Sequence, residues 1–166
     1  MKGSPLKVED RWVLVEAFIR EKGLVRQHLD SYNDFIERRL QEIVNEQGII
    51  ETSILGFYVR LGKIEVGEPR VREADGSETE IYPHEARLRN LTYAAPIYLT
   101  MSLVVDDVEQ EPVRAYIGQM PIMVKSSKCY LSRMREEELI AHGEDPRDPG
   151  GYFIINGSER VLVIQE

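Results

Sequence analysis

One cysteine, Cys129, in a chain of 166 residues excludes an intrachain disulfide. With only three scattered histidines beside it, the chain also lacks the ligands for a four-coordinate Cys/His zinc site. Long apolar runs are missing as well: none approaches the ~18–20 residues needed to cross a bilayer. The N-terminus, MKGSPLKVEDRW, carries charge where a signal peptide would carry its apolar stretch. Basic residues are in deficit, 21 Lys and Arg against 29 Asp and Glu, for a net charge of −8. A domain that holds DNA alone by neutralising phosphates is normally basic, so a nucleic-acid role here needs a local patch or basic partners. These absences together predict a soluble, intracellular protein that works with other proteins and not at a membrane.

What is present is an ordinary globular composition, 42% apolar and 30% charged. A chain of this length suits one domain that buries roughly 70% of its unfolded surface. From Val8 to Glu21, Trp12, Val15, Phe18 and Ile19 recur at helical spacing up to Gly23. A second stripe follows in Tyr32, Phe35, Ile36, Leu40, Ile43 and Val44. Ser31 with Asp34 reads as its capping box, and Gly48 as its C-cap. The pattern then changes to period two. Phe57, Val59 and Leu61 alternate, Gly62 reads as a bulge, and Ile64 and Val66 resume the alternation. Residues 68–80 read as an exposed loop or hairpin tip. Leu91, Tyr93, Ile97, Leu99, Met101 and Leu103 read as one face of a long strand, with Pro96 at a break or edge. An acidic connection over 105–112 leads to a strand pair within 113–124, then to a short charged helix over 135–142. The class is α+β: two N-terminal amphipathic helices over about 8–48, then a mostly antiparallel sheet over about 49–166.

The end of the chain carries the most information. A Pro/Gly stop, 145–151, precedes a short apolar strand. Asn156-Gly157 then suits a two-residue turn with positive φ at both centres, and a second apolar strand runs to the last residue. A chain that stops on such a run is expected to be part of something longer.

Chemistry is sparse. There is no Gly-x-Gly-x-x-Gly and no phosphate-cradling lysine loop. Ser126-Ser127-Lys128 has no neighbouring histidine, so it does not read as a nucleophile site. Cys129, beside Tyr130 and Leu131, reads as a small packed hydrophobe. Asp106, Asp107, Glu109 and Glu111 read as a solvated connection rather than a Mg²⁺ site. Glu136, Glu137 and Glu138 read as an exposed helix face, and His28 as a hydrogen-bonded residue at a helix entry. The basic residues read as ordinary surface charges; if Arg87 and Arg89 clustered with Lys125 and Lys128 on one face, they would instead form a phosphate-facing patch on an acidic domain.

Four segments carry a resemblance. They are GLVRQHLDSYNDF (23–35), EARLRNLTY (85–93), IGQMPIMVKS (117–126) and GGYFIINGSERV (150–161). In order and separation they resemble the second-largest subunit of multisubunit DNA-dependent RNA polymerases, in its archaeal and eukaryotic form. RQHLDS (26–31) and the GEDPRDPGG approach to the hairpin (143–151) look archaeal. The resemblance implies that residues 1–166 are the N-terminal part of the protrusion, a domain above the DNA cleft, with the lobe and later domains absent. It implies no catalytic residue and no metal ligand in this segment. The Mg²⁺ of the enzyme belongs to the largest subunit, and a Zn²⁺ to the missing C-terminal region.

By the same resemblance Arg160, Val163 and Gln165 lie nearest the nucleic acid; Lys125 and Lys128 join them only through the patch conjecture above. Gln27, Asp30, Ser31 and Asn33 are expected to be structural, as are Asn156 and Gly157 at the turn. Ile164 and Glu166 depart from the Ser and Leu of bacterial relatives, so rifamycin sensitivity does not carry over. Implied partners are the other polymerase subunits, template DNA, the RNA–DNA hybrid and transcription factors. The implied location is the nucleoid-associated cytoplasm if archaeal, or the nucleus if eukaryotic. The alternative is a stand-alone, non-catalytic docking platform for transcription factors.

Overall fold

The computed structural model of the chain describes residues 7–163 and 165, apart from the side chain of Glu9. Helix α1 (Val8–Lys22) ends at Gly23, whose N–H donates to the Ile19 carbonyl at 2.8 Å. Its apolar stripe forms as the spacing predicts but stays in solvent: Trp12 is 63% and Phe18 60% exposed. Helix α2 (Arg26–Asp34), a wider π turn (Phe35–Arg39) and helix α3 (Leu40–Gln47) follow as one continuous rod.

The π turn has a reason in the stripe. Tyr32, Ile36, Leu40 and Val44 advance four residues at a time, and in a 3.6-residue helix each such step overshoots a turn by about 40°. The i→i+5 pitch of the π turn absorbs part of that drift, and Tyr32 and Val44 both end up buried. Ile43, read on the same stripe, stays 54% exposed. The capping box is a correction. Ser31 lies inside α2 and donates to the His28 carbonyl at 3.1 Å, while Asp34 accepts from Arg38 at 2.8 Å. A Ser that bonds back to the preceding turn lets the helix run through it. Gly48 does end the rod, its N–H donating to the Val44 carbonyl at 2.9 Å.

Strands β1 (Ile49–Glu51) and β2 (Phe57–Val66) begin the sheet, and residues 68–80 form a small hairpin of β3 (Arg70–Arg72) and β4 (Glu78–Glu80). Helix α4 (Pro83–Leu88) leads to the long strand β5 (Ala94–Val105), then β6 (Val108–Glu109) and β7 (Val113–Pro121). All pairings are antiparallel, and β5 is the spine, with β1–β2 on one side and β6 and β7 on the other. The β2 register slips between Leu61 and Ile64, so Gly62 does sit in a bulge.

Three expectations need correction. Leu91 and Tyr93 precede β5, and Leu103 is 45% exposed while Val104 on the opposite face is 1% exposed. Period two identifies a strand but not the face that its neighbours cover. The acidic connection is exposed as read, but it contains a tight hairpin turn, with Asp106 and Asp107 at φ +49° and +63°, a region that short polar side chains tolerate. The strand pair within 113–124 is one strand: Pro121 has no N–H to continue the ladder. Beyond it Ile122, Met123 and Val124 turn inward and are fully buried.

Helix α5 (Glu136–Ala141) precedes the terminal hairpin of β8 (Phe153–Ile155) and β9 (Ser158–Arg160). The hairpin is stitched to the core through backbone outside the strands. Ile122 N–H donates to the Tyr93 carbonyl (2.9 Å), Tyr93 N–H to Ile154 (3.0 Å) and Val124 N–H to Tyr152 (2.8 Å). Ile81, Tyr93, Ile122, Val124, Cys129 and Ile154 make the dry centre. Cys129 is packed there as expected. Burial pushes its thiol pKa up, and the Tyr93 hydroxyl donates to its sulfur at 3.6 Å. The second terminal strand is shorter than read: β9 ends at Arg160, and Val161, Leu162 and Val163 are outside any ladder and 67%, 61% and 76% exposed.

The turn itself is Asn156 at φ +50° and Gly157 at φ +77°, as the Asn-Gly pair predicts. A Cβ on Gly157 would stand 2.8 Å from the Asn90 Cα and 3.0 Å from the Arg87 carbonyl oxygen. Strain and contact act together, so Gly157→Ala is expected to lower stability by about 1–3 kcal/mol, measured as a shift in the urea unfolding midpoint.

Candidate nucleic-acid interface

The terminal hairpin is held at the surface by one arginine. From α4, Arg87 reaches Glu144 (3.0 Å), Glu159 on β9 (2.9 Å) and the Tyr152 hydroxyl (2.6 Å). Tyr152 in turn donates to Asp148. Glu144 sits with its side chain only 4% exposed, so its charge is tolerated because Arg87 faces it. Burial, and then the bond to Asp148, push the Tyr152 hydroxyl pKa well above the usual tyrosine value. The network joins α4, the 143–151 loop and β9.

On the other side the hairpin meets α2. Tyr32 packs edge-on against Phe153 with centroids 5.3 Å apart and donates its hydroxyl to the Pro121 carbonyl. Between them lies a cavity of about 570 Å³, lined by Tyr32, Phe35, Met123, Phe153, Ile155 and Leu162, with His28 and Arg160 also contributing. It is an apolar groove with one cation, and it is continuous with exposed Val161.

The predicted site residues scatter. Arg160 is exposed and makes no ion pair among the described residues. Val163 and Gln165 are exposed too, while Ile164 and Glu166 lie outside the described residues. Lys125 is spent internally, its ammonium donating to the Pro146 (3.4 Å) and Asp148 carbonyls. Lys128 is half-buried and lines a different cavity, of about 340 Å³, with Glu37, Glu65 and Arg114. Arg89 pairs with Glu73 (2.8 Å) and Glu85 (2.6 Å). The conjectured patch of Arg87, Arg89, Lys125 and Lys128 is therefore not a free positive surface: carboxylates or carbonyls already hold three of the four.

Among the residues read as structural, Asn33 accepts the Ser127 N–H at 2.9 Å and so ties α2 to the segment after β7. Asp30 makes an exposed pair with Arg26 at 2.8 Å. Gln27 is exposed with no side-chain hydrogen bond among the described residues. Asn156 exchanges hydrogen bonds with Thr92, its N–H to the hydroxyl at 3.1 Å and the hydroxyl back to its side-chain oxygen at 3.3 Å. Sequence reasoning missed Glu144 altogether. Its partner Arg87 is 57 positions away, and no local pattern signals such a pair. Among the described residues no three His, Cys, Asp or Glu side chains stand close enough to hold a metal ion, and no helix is long and apolar enough to cross a membrane.

The family model described as RNA polymerase beta subunit matches residues 23–166. The chain belongs to this family. Among its relatives, DNA-directed RNA polymerase subunit Rpo2 of Saccharolobus shibatae is 60% identical over 163 residues, covering 98% of the chain and 14% of that protein. DNA-directed RNA polymerase subunit Rpo2N of Methanocaldococcus jannaschii is 53% identical over 158 residues, covering 92% of the chain and 32% of that protein. The chain thus spans only 14% and 32% of these two relatives. It corresponds to the N-terminal segment of the archaeal second-largest polymerase subunit, as the quoted motifs imply.

Two outcomes follow from the charge pairs. Arg87→Met leaves Glu144 buried and unpaired, and is expected to cost about 3–5 kcal/mol of unfolding free energy, measured by urea denaturation. Hydrogen bonding to Arg89 holds the Glu73 carboxyl below its ordinary 4.5. A carboxyl depressed in the folded chain favours folding above its unfolded value and loses that contribution as pH falls through the folded one. The contact from β3–β4 to α4 is thus expected to loosen only below pH 4.5, seen as shifts of the Glu73 and Arg89 side-chain NMR signals.

Proposed function

We propose that this segment serves DNA-templated RNA synthesis as the N-terminal part of a DNA-directed RNA polymerase subunit, without carrying out nucleotidyl transfer itself. The observation that carries this reading is the 60% identity to an Rpo2 polymerase subunit over 163 residues. The surface suits a chain that leans on neighbours: the α1 stripe, the apolar groove and Val161–Val163 are all uncovered within the described residues. On this reading the segment is part of the protrusion, forms upper cleft wall, guides DNA and supports the RNA–DNA hybrid region. Arg160 is the side chain best suited to a phosphate, because it is the cation at the hairpin with no carboxylate partner among the described residues. Val163 and Gln165 extend from the same place.

The partners are the remaining polymerase subunits, template DNA, the hybrid and transcription factors, in the archaeal cytoplasm. Catalytic Mg²⁺ is held by the largest subunit and Zn²⁺ by a later part of this one; no described cluster of this segment fits either ion. What this chain supplies is position. The Arg87 network fixes the hairpin, and the hairpin fixes Arg160.

The test is reconstitution. The full subunit assembled with its partners is expected to transcribe, whereas the 166-residue chain alone makes no RNA under the same conditions. Arg160→Ala in the assembled enzyme is expected to reduce the slope of log affinity for template against log salt by about one. An unchanged slope removes Arg160 from the interface. Failure of the assembled enzyme to need this segment at all removes the wider reading.

A further inference from the structure

The tip of the terminal hairpin carries a reactive pair. An Asn followed by Gly is prone to lose ammonia, because glycine has no side chain to hinder attack by its backbone nitrogen on the Asn side-chain carbonyl carbon. Asn156-Gly157 is such a pair, and Asn156 is open to water. In this fold the attacking nitrogen is occupied and the Asn156 side chain is tethered. The Gly157 N–H donates to the Leu91 carbonyl at 2.9 Å, and the Asn156 side-chain oxygen accepts from the Thr92 hydroxyl at 3.3 Å. The same hydroxyl accepts the Asn156 N–H at 3.1 Å. Gly157 is also seated against Asn90, where a Cβ would meet backbone at 2.8 Å, so the turn cannot swing while the tip stays docked.

We propose that Asn156 is a deamidation and isomerisation site, kept latent by the docking of the hairpin tip on Leu91 and Thr92 and opened whenever the hairpin lifts. In the reaction the Gly157 nitrogen gives its proton to base and bonds to the Asn156 side-chain carbon. The carbon–nitrogen bond of the side-chain amide breaks, and the nitrogen leaves as ammonia after taking up a proton. Water then opens the resulting five-membered imide at either carbonyl, giving Asp or isoAsp. The net change is one amide plus one water to one carboxylate and one ammonium. The isoAsp product inserts an extra methylene into the backbone of a two-residue turn, and both products add a negative charge at the hairpin tip. The Asp product can re-form the Thr92 and Leu91 contacts, whereas the isoAsp product cannot as they stand, and in neither does ammonia return to rebuild the amide. The modification is therefore a one-way record that the hairpin has opened.

The test uses the full protein as encoded, held folded in its assembly and, in parallel, unfolded in urea in the same mildly alkaline buffer. Peptide mapping by mass spectrometry reads conversion of Asn156, and enzymatic methylation reads isoAsp. The unfolded chain is expected to convert at least about tenfold faster than the folded one, the factor that freeing the Gly157 N–H from its hydrogen bond implies. The Asn90-Leu91 pair in the same digest serves as an unreactive reference. In folded protein Thr92→Val is expected to convert at an intermediate rate. Equal rates in folded and unfolded wild type, no conversion in the unfolded chain, or a folded Thr92→Val as slow as wild type would each overturn the proposal. Should Thr92→Val fail to fold by circular dichroism, the folded and unfolded wild-type rates decide alone.

Discussion

The seating of the terminal hairpin depends on two backbone hydrogen bonds at Tyr93. Its carbonyl takes the Ile122 N–H and its own N–H goes to Ile154. A residue just before a strand thereby joins the sheet, the segment after β7 and the terminal hairpin. The side chain of Tyr93 is fully buried, so those backbone groups have no water to turn to, and losing either bond would leave a buried polar group unpaired. The core forms around that junction because Ile122, Val124 and Ile154 arrive there from three separate stretches of chain.

Around this dry centre the charged groups act as ties rather than as chemistry. Arg87 spans three elements, and Asn33 reaches the Ser127 backbone from a helix far away in sequence. Arg38, Arg39, Arg87 and Arg89 are each held by carboxylates of the same chain. Arg160, by contrast, has no carboxylate partner among the described residues. What these ties supply within the segment is position.

The chain shows how far local pattern carries a reading. Period 3.6 located both helical regions, and the Asn-Gly pair located the terminal turn, because each is decided by neighbours within one turn or one hairpin. The motifs of the hairpin and of the EARLRNLTY segment located the family. What stayed hidden was set at long range. Which face of β5 is covered, whether Leu103 or Val104, depends on layers that the strand does not encode. Glu144 looked like one more loop acid until Arg87 was seen opposite it. The free basic patch failed for the same reason: a lysine or arginine looks available in sequence until the carbonyls and carboxylates that fold around it are placed.

The exposed stripe of α1 has an optical consequence. The chain's single tryptophan, Trp12, is on that helix and not in the sheet or its core. Indole emission from this polypeptide thus says little about whether the β region is intact. It speaks instead for whatever settles against the first helix, and a blue shift in its spectrum would mark an arriving neighbour and not a folding event.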